Sequence, residues 1–112
     1  MYLTEIEKYR KDGTTDEWYI SKLIDRSILA LDPGSLFTEI GLVVERTLNE
    51  KESDIFLNHC QYIMKLARRI NTTEMPEQLA QNTSVFKARV TELDVVSHGE
   101  VRDLYAWYRI KT

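Results

Sequence analysis

Apolar residues recur along most of the chain at intervals of three and four, the spacing that lines one face of a helix. Breaks in that rhythm divide it into segments. A first helix is predicted over Leu3 to Lys11, stopped by Asp12-Gly13. A second spans about Asp16 to Leu31, capped by Thr14 or Thr15 and ended by Pro33-Gly34. Ser35 opens a third, from Leu36 to about Asn49. Ser53 caps a fourth over Asp54 to Ile70, the clearest amphipathic segment. A short turn of helix is expected from Pro76 to Gln81, since proline suits a first turn.

The stretch SVFKARVTELDVVS, residues 84 to 97, puts Phe86, Val90, Leu93 and Val96 at helical spacing. Its β-branched content and the partial alternation of Phe86, Ala88 and Val90 also permit a strand. Helix is the favoured reading. SHGE, residues 97 to 100, has the form of a capping box ahead of Val101, Leu104, Tyr105 and Tyr108, and predicts a last helix to about Ile110. The fold class that follows is all-α: a single irregular bundle of five to six helices in one domain, residues 1 to 112.

The faces of these helices raise the first functional question. In the second helix Ile20, Leu23, Ile24, Ile28 and Leu31 share a stripe with Ser27, and this stripe should face the core. Trp18 points the other way, with Lys22, Asp25 and Leu29 beside it, and Tyr19 lies on the flank. Either a neighbouring helix covers the tryptophan, or Trp18 and Leu29 form an exposed ridge edged by Asp16, Glu17 and Asp25. A ridge of that kind suits an interface, where aromatic anchors carry much of the binding energy. Trp107 likewise lies off the stripe of the last helix.

Composition narrows the class. With 43% hydrophobic and 29% charged residues, two prolines and four glycines, the chain has the make-up of a globular protein that can bury a core. No apolar run approaches the roughly 20 residues that span a bilayer. MYLTEIEKYR lacks the apolar centre of a signal peptide, and the one cysteine, Cys60, fits a reducing compartment. A cytoplasmic location and no membrane association are expected. Charge is unevenly spread: residues 1 to 54 hold twelve acids against seven bases, and residues 55 to 112 hold six against eight. An acidic half of this kind steers a basic partner.

Candidate chemistry changes little. His59 and Cys60 are adjacent, but neighbours in a helix diverge by about 100°, and both fall near the stripe of Phe56, Ile63, Leu66, Ala67 and Ile70. A structural role is expected for both. His98 stands in the proposed cap. Two histidines and one cysteine without close ligand spacing predict no metal site, and no cofactor motif is present. The common catalytic motifs are missing, so enzymatic activity has no support from the sequence. An outer face of Lys65, Arg68 and Arg69, with further bases at Lys87, Arg89, Arg102, Arg109 and Lys111 among Tyr105, Trp107 and Tyr108, allows an alternative: a nucleic-acid-associated or regulatory helical protein. The pI near 5.4 argues against phosphate binding as the main task.

Through DEWYISKLID, an acid-and-aromatic surface candidate, and its small, acidic, helical character, the chain resembles the immunity proteins that neutralise bacterial toxins by stoichiometric binding. That resemblance implies a non-catalytic inhibitor of a basic partner such as a nuclease toxin, with acids and tyrosines covering a basic cleft. The candidate partner-binding residues are Asp16, Glu17, Trp18, Tyr19, Asp25 and Leu29.

Overall fold

A computed structural model describes residues 1 to 12 and 17 to 111, leaving aside the side chains of Asp12 and Glu17. Its described residues form seven α-helices: α1 (Tyr2–Asp12), α2 (Glu17–Ala30), α3 (Leu36–Leu48), α4 (Ser53–Ile70), α5 (Glu77–Ala80), α6 (Thr83–Glu92) and α7 (Gly99–Trp107), with a 3-10 turn at Pro33–Ser35 before α3. The all-α class is correct, and the expected count of five to six is too low. The proposed caps Thr14 and Thr15 lie outside the described residues.

The most apolar-sided helix, α4, is also the most enclosed. It packs along α3, against α7, and on a third side against α2, while α1 leans on α2 and α5 and α6 cover α3. Burial follows the sequence stripe and widens it: Ile55, Phe56, His59, Cys60, Tyr62, Ile63, Met64, Leu66 and Ala67 are all buried. Aromatic rings carry the core outward from α4. Phe56 meets Phe86 of α6 at 5.4 Å between ring centres, and Phe86 meets Tyr105 of α7 at 6.2 Å. On another side Tyr62 stacks on Tyr2 of α1 at 4.0 Å. At Gly41 of α3 the terminal amide of Gln78 from α5 lies over the backbone, 2.5 Å from where a Cβ would stand.

Residues 84 to 97 are helical only in their first part. After Glu92 the chain turns at Asp94, whose φ of 55° is left-handed, and the Val95 N–H returns to the Val90 carbonyl at 3.1 Å. That bond and the one from Asp94 to Thr91 make a Schellman ending. It buries Val95 and leaves Val96 exposed, the reverse of the inward position expected for Val96. The capping box also fails. His98, not Ser97, is the N-cap of α7, and no side chain caps the helix. Ser97 falls instead within the turn that the His98 N–H closes onto Val95.

Candidate protein-interaction face

The residues that looked most like chemistry are deeply enclosed. His59 and Cys60 are both 0% exposed, out of reach of a substrate. His59 belongs to a polar chain that ties α1 to the α3–α4 connection. Its Nδ1 lies 2.9 Å from the Tyr2 hydroxyl, and its Nε2 approaches Glu50 Oε1 at 3.4 Å, without hydrogen-bond geometry. Because Glu50 can only accept, a proton on Nε2 with the Tyr2 hydroxyl donating to Nδ1 is the tautomer that suits both neighbours.

Glu50 itself is 3% exposed and heavily compensated. Arg10 grips both carboxylate oxygens in a fork, at 2.6 and 2.8 Å, and the N–H groups of Lys51 and Glu52 donate to Oε2 at 3.1 Å. Burial alone would raise the Glu50 pKa. The nearby His59, the Arg10 guanidinium and the Glu52 N–H outweigh it and hold the carboxyl well below its usual range. Arg10 also binds Glu7 at 3.1 Å and Glu52, and Glu7 binds Arg46 at 3.2 Å. Three acids of the N-terminal half thus converge on one guanidinium. Burial pushes the Cys60 thiol far up, opposite to what a nucleophile needs. The Tyr62 hydroxyl is raised by burial and by donating to Glu39 at 2.8 Å.

The outer side of α2 is different. Trp18 is 71% exposed and Leu29 is 78% exposed, with Lys22, Asp25 and Arg26 also in solvent between them. Tyr19 turns aside and stacks on Tyr9 of α1, ring centres 5.5 Å apart and planes 9° from parallel. It therefore joins α1 to α2 more than it extends the ridge. Asp16 lies outside the described residues, as does the Glu17 side chain. Trp107, the other off-stripe tryptophan, is half-buried and donates its indole N–H to the Thr72 carbonyl at 2.9 Å.

Beside the ridge runs a shallow groove between α2 and α4, lined by Asp25, Ile28, Leu29, Lys65, Arg68 and Arg69. Lys65 binds Asp25 at 3.3 Å, and Arg68 lies 3.6 Å from Asp103 of α7. A second depression, lined by Tyr19, Lys22, Asp25 and Arg26, adjoins it at Asp25. The sequence identified the three cations of α4 as an outward set. That they stand next to Leu29 depends on the packing of α2 on α4, which no local pattern encodes. Other bases are dispersed: Arg102 and Arg109 line a separate depression, and Arg89 is bound to the Leu48 carbonyl and to Glu92.

Among the described residues no cluster of three His, Cys, Asp or Glu side chains could hold a metal ion, and no single helix is long and apolar enough to cross a membrane. The fold and this face together define a small all-helical protein whose distinctive surface is an apolar ridge beside a cation-lined groove. Comparison with protein-family profiles, curated proteins and solved structures returns no match.

Proposed function

We propose that the protein is a non-catalytic protein-binding domain that engages its partner through the outer face of α2 and the neighbouring groove. The observation that carries this reading is the exposure of Trp18 and Leu29 on the same side of α2 as the groove, large side chains of the kind that anchor interfaces. Burial of His59 and Cys60 adds support by removing the most reactive pair from contact with solvent. Stoichiometric inhibition, as in an immunity protein, is one form this binding could take. A basic nuclease as the target has less support, because Glu7, Glu50 and Glu52 converge on Arg10 and the groove beside the ridge is lined by Lys65, Arg68 and Arg69.

The reading is tested by affinity capture from the native host with the wild-type chain and with Leu29→Asp, followed by mass spectrometry. A stoichiometric partner retained by the wild type and lost by the variant is expected. A partner held equally by both would move the interface elsewhere, and an enzyme turnover assay that finds activity in the purified chain would contradict the non-catalytic class.

A further inference from the structure

The charge around the ridge specifies more than a generic partner. Lys22 and Arg26 on α2 and Lys65, Arg68 and Arg69 on α4 surround two adjoining depressions, and the acids that answer them are Asp25, bound to Lys65, and Asp103, near Arg68. The described side chains that line the two depressions are thus five cations and one acid, with Asp103 beside Arg68, on a chain whose net charge is −3. The apolar part of the first depression's lining is aliphatic, made by Ile28 and the exposed Leu29.

Resting on the proposed binding role of this face, we infer that the partner presents an acidic amphipathic helix that lies in the α2–α4 groove. Its apolar stripe covers Ile28 and Leu29, and its carboxylates meet Arg69, Lys22 and Arg26. A helix suits the site for two reasons. The described residues contain no strand to which an extended peptide could add, and a groove between two helices accepts an amphipathic helix along its length. The run from Tyr19 to Leu29 measures roughly 15 Å along α2, the length of about three helical turns in a partner. Nucleic acid would satisfy the cations but leave Leu29 and Ile28 without an apolar contact, and a basic partner would face the surplus charge directly. The alkyl stems of Lys65 and Arg69 add apolar contact along the groove wall while their charged ends reach the partner's acids.

A displayed library of random peptides, each about four helical turns long, provides the probe. It is selected on the wild-type chain and counter-selected on Leu29→Asp. The expected survivors are net acidic, with apolar residues three and four apart. A synthesised survivor should bind Arg69→Glu about tenfold or more weaker than wild type, more strongly at low salt than at high, and should not be displaced by oligothymidine. Circular dichroism and melting midpoints of both variants verify that they fold, with Leu29→Ala and Arg69→Ala as milder substitutes. Survivors that are neutral or basic, an affinity indifferent to Arg69, or displacement by oligothymidine would each overturn the inference. None of those results removes the binding role of this face, which fails instead if the cellular partner is held equally by wild type and Leu29→Asp.

Discussion

Glu50 shows how one side chain can organise a junction. It sits between α3 and α4 with almost no exposure, yet it is ionised because Arg10 and two backbone N–H groups replace the water it gives up. Its depressed pKa fixes the sign of a pH effect. The contribution to stability is complete above the ordinary value of about 4.5 and is lost as pH falls through the lower value of the folded state. Glu50→Gln should cost about 2 to 3 kcal/mol at neutral pH, below the full loss for a broken buried pair because Arg10 keeps Glu7 and Glu52. Urea denaturation from pH 7 to about pH 3 should show the gap between wild type and variant narrowing with acid. Parallel curves would show that the ion pair is not the source of the effect. At Cys60, burial and the raised thiol pKa predict that a thiol reagent labels the protein at the rate of unfolding, and fast labelling of the native state would contradict the packing around α4.

Helices whose burial follows a simple period were legible from the sequence. In α4 Phe56, Ile63, Leu66 and Ala67 of the expected stripe are buried and Ile70, at the end of the helix, is partly buried, because an amphipathic helix facing a core has one stable orientation. Ile63→Ala should therefore cost about 2 to 5 kcal/mol in denaturant unfolding, and a loss under about 0.5 kcal/mol would mean that residue is not in the core. In α2 the same period put Trp18 and Leu29 outward, and both are outward. Helix ends were less legible, because a Schellman turn depends on the backbone and on one buried side chain beyond the helix. Nothing in LDVVS distinguishes Val95 from Val96 until the chain has somewhere to put one of them. Asp94 in a left-handed conformation, its carboxylate at a helix C-terminus, is unfavourable on both counts. Asp94→Gly should stabilise the protein by about 1 kcal/mol and raise the melting midpoint by a few degrees; a lowered midpoint would mean that the side chain makes a contact of greater worth.

Over the whole molecule, packing redistributes the charge that the sequence lays out in two halves. The chain folds to 34 × 32 × 20 Å around α4, and the acid-rich N-terminal half spends several carboxylates on Arg10 and Arg46. Cations from the C-terminal half come to lie against α2, so the helix that exposes Trp18 and Leu29 has a cationic border. Charge counted along a sequence predicts a surface only when each half keeps its own side of the fold. Here α2 and α4 mix them. The central claim is that this face serves binding and is dispensable for folding. Its most direct test is the affinity of the captured partner for Leu29→Ala, measured beside the thermal midpoint of the same variant. Affinity should fall by about 1 kcal/mol or more while the midpoint stays within a degree or so of wild type. Unchanged affinity with a midpoint lowered by many degrees would make Leu29 a structural residue and contradict the account.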